Sequence, residues 1–204
     1  MPIDHPYLLA IQAEHGLILR TLADLMKRED QVSGFFAYCA NYVDRSYFER
    51  IERFLFQAIH DKSGIQAGGP MCMLYFDQHL NHRSLDIAAK FTQRRRFQPD
   101  STNVPAHLRE FYQNNSPVCI PTEDHFACRE IVAKAQELLA AAPNETNSRE
   151  LVFLSNVYFD ILKLNFEKKN NCLLPMSQTL LAPDELTTWA ARAAQWTAEN
   201  LNLK

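Results

Sequence analysis

Residues 7–27 read YLLAIQAEHGLILRTLADLMK. Leu8, Ile11, Ile18, Leu22 and Leu25 recur in steps of three and four, and His15 falls in the same row. Such steps return to one face of a helix with about 3.6 residues per turn. The stretch therefore predicts an amphipathic helix whose packed side carries an imidazole.

The same period continues outward from this segment. Residues 31–34 break it, and Ser33 is a candidate cap for the next helix. A second helix is expected over about 34–61, with Phe36, Ala40, Val43, Tyr47, Ile51, Phe54 and Ala58 facing inward. Gly64 and the Gly68-Gly69-Pro70 turn separate it from a third helix at roughly 71–91. There Cys72, Phe76, His79 and Ile87 share a face with Arg83. Residues 92–120 carry Pro99, Pro105 and Pro117 and read as a surface insertion with one short helix near 107–112. Pro121-Thr122-Glu123-Asp124 marks another helix start, followed by an inward row of His125, Cys128, Val132, Ala135 and Leu139. After a loop at 143–147, a helix over about 148–171 aligns Leu154, Tyr158, Ile161, Asn165 and Cys172. Pro175 ends or kinks it. Pro183-Asp184-Glu185 opens a last helix with Leu186, Trp189, Ala193 and Trp196.

Five glycines in 204 residues, with helical periodicity in every long segment, predict an all-α chain. The expected architecture is an antiparallel up-and-down four-helix bundle with one or two peripheral helices, forming a single domain over 1–204. Hydrophobic residues at 47% and charged residues at 22% suit a globular core. A net charge of -3 gives no electrostatic case for nucleic acid or an anionic membrane. No apolar run approaches a membrane span, and the N-terminal residues lack the pattern of a secretory signal. Cys39, Cys72, Cys119, Cys128 and Cys172 show no zinc spacing and read as reduced thiols of a cytoplasmic protein.

Several strings carry a resemblance. Glu14-His15 lies on the first helix. Residues 42–59 read YVDRSYFERIERFLFQAI, Gly68-Gly69-Pro70 leads toward Gln78-His79, and residues 163–175 read KLNFEKKNNCLLP. In order and spacing these are similar to the motifs of the bacterial hemerythrin-like (HHE cation-binding) family. That resemblance implies a four-helix bundle in which imidazoles and carboxylates four residues apart converge on two irons. Glu14-His15 falls where the family's first histidine belongs.

The departures bear on the metal. The second helix has Tyr47 and Ile51 where the family has histidine and carboxylate. The last motif has Asn165 and Lys169 at those positions. Reading the second motif one residue later keeps Glu52 as the carboxylate but turns it away from the Tyr47–Ile51 row. The third-helix histidine is either His79 or His125, each with an arginine four residues on, and His125 is favoured. The candidate metal residues are thus His15, His79, His125 and Tyr47, while Ile51, Asn165 and Lys169 occupy expected ligand positions with unsuitable side chains. Lys169 either places an ammonium at a bridging position or snorkels outward.

The leading expectation is a diverged bundle with no bound cofactor, acting as a binding or regulatory protein toward a protein or small-molecule partner. The alternative is a protein that binds iron or another divalent metal, as one ion, in iron handling or sensing. No enzymatic nucleophile stands out. Arg94-Arg95-Arg96 reads as a solvated loop, and the Trp189–Trp196 pair as core packing or a homodimer face.

Overall fold

The computed structural model describes residues 2–62, 108, 111 and 118–200. Among these residues the regular structure is entirely helical, with no strand. The expected third helix at 71–91, with His79 and Arg83, and most of the 92–120 segment lie outside the described residues.

Helix α1 spans Pro6–Met26. His5 caps it, accepting the Tyr7 N–H through its side chain, and Pro6 occupies the first turn, where no backbone donor is needed. Leu8, Ile11, His15, Ile18 and Leu22 are buried, as the row predicts. A short turn at Glu29–Gln31 leads into α2, a continuous rod over 32–62. Ser33 does not cap it. The helix begins one residue earlier, at Val32, with no side-chain cap.

Helix α2 departs from ordinary α geometry. Its ends, Val32–Tyr38 and Gln57–Lys62, are α-helical, while Cys39–Phe48 and Ile51–Phe56 are π-helical. A π-helix closes its hydrogen bonds i→i+5, so each turn holds more residues. The buried positions accordingly advance in steps of four: Val43, Tyr47, Ile51, Leu55 and Ile59, beside Asp44, Phe48, Glu52 and Phe56. A pure α-helix drifts when followed in fours, whereas this mixed rod holds both rows inside. Two expectations are corrected here. Glu52 does not turn away from Ile51, since both are buried. Phe54, expected inside, lies at the edge, where Trp189 and Trp196 cover it with ring centroids at 6.4 and 6.1 Å.

Helix α3 spans Cys119–Ala140, so it begins before the sequence signal at Pro121. His125, Cys128, Val132 and Ala135 are buried, but Leu139 is exposed at the far end. A four-residue connection leads to α4, whose cap Asn144 accepts the Asn147 N–H at 2.8 Å. Helix α4 runs as Glu145–Lys168, then a π-helical stretch Lys169–Leu173, then Leu174–Leu180. Pro175 does not end it. Proline sits in the first turn of the last α segment, just after the π stretch has already altered the ladder. Cys172 is only half-buried. Helix α5 spans Pro183–Asn200, opens with Asp184 and Glu185, and buries Leu186 and Ala193.

Helices α1, α2, α3 and α4 share one apolar interior that includes Ile18, Phe36, Ile51, Cys128 and Ile161. No helix among the described residues is long and apolar enough to cross a membrane.

Candidate functional site

Eleven polar or charged side chains are buried among the described residues, and four of them, His15, Glu52, His125 and Lys169, join one hydrogen-bonded chain across α1 to α4. At the centre is Lys169, with no exposed surface. Its Nζ donates to His125 Nε2 at 2.7 Å and to Tyr47 Oη at 3.2 Å. Lys169 therefore does not snorkel outward. It fills the interior at the first residue of the π stretch of α4.

The hydrogen bonds around it form a chain. Because a carboxylate can only accept, Glu52 fixes the proton of the neutral imidazole on His125 Nδ1, which leaves Nε2 to accept from Lys169. That Nδ1–H donates to Glu52 Oε1 at 2.7 Å. Arg129 grips the same carboxylate with two bonds, 2.8 Å to Oε1 and 3.0 Å to Oε2. On the other side, Tyr47 Oη accepts from Lys169 and donates to His15 Nε2 at 2.5 Å. His15 Nδ1–H then donates to Asn170 Oδ1 at 2.6 Å. One assignment of protons satisfies every member from Arg129 to Asn170.

Aromatic rings enclose the chain. His125 stacks on Phe48 at 3.7 Å, and His15 stacks on Phe166 at 4.2 Å. Lys169 Nζ lies 4.8 Å from the Tyr47 ring centroid and 5.4 to 5.5 Å from those of Phe48, Phe56 and Phe166. Such a cage favours a cation over ring faces, but it also withholds water from it. Burial dominates: it lowers the Lys169 pKa to about 7, against the pull of Asp124 and Glu52 toward the charged form. Burial, then the Lys169 charge, lowers His15 and His125 to about 3. His125 and Glu52 thus meet as a neutral imidazole and a carboxylate.

Two further groups flank the chain. Asn165 is buried, yet its Nδ2 donates to the Pro121 carbonyl and to Asp124 Oδ2, both at 3.1 Å, while its own oxygen has no partner among the described residues. It faces α3, whereas His15 and Tyr47 face each other directly. Lys168 Nζ also reaches Asp124, at 2.8 Å. Nearby, Tyr158 Oη lies 3.4 Å from Asp44 Oδ1, and burial raises the Asp44 pKa to about 7. At the edge, Tyr42 donates to Glu14 at 2.9 Å and Arg50 pairs with the same carboxylate.

The structure therefore brings together His15, Tyr47 and His125 of the candidate set. His79 lies outside the described residues. Ile51 is an ordinary core side chain. The sequence reading did not assign Glu52, Arg129, Asp124 or Asn170 to the centre. The one available signal was Arg129, four residues after His125 and hence on its face.

These residues do not fit a dinuclear iron centre. Lys169 Nζ stands between the donor atoms that would face a metal, and the lone pairs of His15 Nε2 and His125 Nε2 are already taken by donors. The carboxylate bonded to His125, Glu52, is engaged by both Arg129 nitrogens, and Asp124 is held by Asn165 and Lys168. A metal dication beside the Lys169 ammonium would add strong repulsion at any interior dielectric. Among known proteins, no family model matches this chain, no curated protein matches it, and no solved structure matches it.

Proposed function

We propose that this chain is a hemerythrin-like four-helix bundle in which an internal ammonium takes the place of iron. On this reading α1 to α4 form the bundle and α5 is the peripheral helix. The protein works without metal, as a binding or regulatory protein rather than as an oxygen carrier or iron enzyme. The observation that carries this reading is Lys169 Nζ, held between Tyr47 and His125 with no exposed surface. One side chain there touches groups from α2 and α3 directly, and through Tyr47 it reaches His15 on α1. Its pKa of about 7 supports a regulatory role, because its charge changes near neutral pH.

The test is elemental analysis of protein expressed in medium supplemented with iron and zinc, together with thermal unfolding with and without a chelator. Far less than one metal per chain and an unchanged Tm are expected. One or two metals per chain, with a Tm that falls on chelation, would restore the metal-binding alternative and sink this reading.

A further inference from the structure

Lys169 has the surroundings of a reactive amine. A lysine is nucleophilic only as the free base, and removal from water favours that form. Here the amine is wholly buried among Tyr47, Phe48, Phe56 and Phe166. His125 Nε2 lies 2.7 Å from Nζ with its lone pair directed at it, and the Lys169 charge that lowers its basicity is gone once the amine is the free base, while Glu52 raises it, so a proton acceptor is in place. Behind that imidazole, Glu52 accepts from Nδ1 and is itself gripped by Arg129. No described polar side chain other than His125 and Tyr47 bonds the amine. An electrophile that reaches this atom must be small and uncharged, because the lysine has no exposed surface.

We propose that Lys169 binds carbon dioxide, its ε-amine forming a carbamate with His125 as the base that takes the released proton. The nitrogen lone pair attacks the carbon of CO2, an N–C bond forms, and one C–O π pair moves onto oxygen. The proton lost from nitrogen passes to His125 Nε2. The product is a carbamate anion beside an imidazolium, with no other reactant and nothing released. The order of charges along the chain is then Arg129 positive, Glu52 negative, His125 positive, carbamate negative. Each charge created has an opposite neighbour already positioned, which offsets the cost of forming an ion pair in the interior. His125 keeps its Nδ1 bond to Glu52 throughout. The groups facing the amine that set its availability are Glu52 on α2, Asp124, Cys128 and Arg129 on α3, and the His15–Tyr47 pair. Asp124 is held by Lys168, which limits its pull on the Lys169 proton.

This inference rests on the reading that an amine, not iron, occupies the centre, and its test separates the two. Full-length protein freed of metal by a chelator is equilibrated with ¹³C-labelled bicarbonate and CO2 at mildly alkaline pH. The ¹³C spectrum is then recorded, and carbamate is trapped as its ester with a trialkyloxonium salt before peptide mass analysis. A carbamate resonance and an ester on the peptide containing residue 169 are expected. Lys169→Met should lose both and Lys163→Met, at an exposed lysine of α4, should keep both, while His125→Gln should show a weaker signal that needs higher pH. An ester found only on the N-terminal amine or on other lysines, or no resonance in the unaltered protein, overturns the proposal. If Lys169→Met fails to fold, the position of the ester in the unaltered chain still decides. A metal-free protein without carbamate would defeat this inference alone. A protein that retains stoichiometric metal would defeat the reading beneath it.

Discussion

Lys169 Nζ lies 2.7 Å from His125 Nε2, a cation donor against a neutral imidazole, with neither side chain exposed to water. The pair is costly for the lysine, and the cost depends on pH. The folded-state pKa is about 7, lowered by burial from an ordinary 10.5. Between those values the unfolded chain binds a proton that the folded chain lacks, so stability from this group rises with pH across that window. Below about pH 7 both states are protonated and the full penalty applies. Lys169→Met removes the charge at similar volume but leaves His125 Nε2 without its donor. At about pH 6 the variant should be more stable than the unaltered protein by about 1–4 kcal/mol. That advantage should shrink or vanish by about pH 9. Urea unfolding at both pH values measures it, and parallel pH profiles for the two proteins would contradict the buried placement.

Glu52 carries a separate prediction. Its carboxylate accepts two bonds from Arg129 and one from His125, and its side chain is wholly buried. Truncating one partner of a buried pair leaves the other charge without compensation. Glu52→Ala should cost about 3–5 kcal/mol in urea unfolding. Adding Arg129→Met should recover part of that loss, because the stranded guanidinium goes with it. A Glu52→Ala cost under about 1 kcal/mol would mean that the carboxylate faces solvent after all.

The rows built on ordinary helical periodicity were legible from the sequence. Leu8 to Leu22 on α1 and His125 to Ala135 on α3 are buried as their spacing requires. His15 and His125 were legible for the same reason, since each sits inside an apolar row. Glu52 was not, because ordinary α geometry turns position 52 away from the Tyr47–Ile51 row, whereas the segment is π-helical at 39–48 and 51–56. A wider turn brings both 51 and 52 inside, and nothing in residue type announces it. Lys169 was undecidable by pattern: a long flexible side chain reaches water or the interior from the same position. Asn170, next to it on the π stretch, reaches His15 for a related reason. Pro175 predicts an end or a kink, and the helix continues past it to Leu180.

The interior geometry also yields a constructive prediction. Removing the central ammonium and supplying a carboxylate in its place should turn the relay into a metal site. Lys169→Glu places an acid at the point where His125 Nε2 and Tyr47 Oη already converge, and Tyr47→His exchanges the phenol for an imidazole within reach of His15. Glu52 stays on the Nδ1 side of His125, gripped by Arg129, and keeps that imidazole oriented. Asn165 is best left alone, since it bonds toward Pro121 and Asp124 on α3. The double variant would then offer His15, His125 and two new ligands, a mixed nitrogen and oxygen set that suits divalent iron or cobalt. About one cobalt per chain should bind, with visible ligand-field bands and a raised Tm. The single variant Lys169→Met, which supplies no carboxylate, should bind more weakly or not at all. A double variant that folds with native helix content but takes up no cobalt would show that the donor atoms do not converge as placed here, and with them the likeness to a metal-holding bundle would fall.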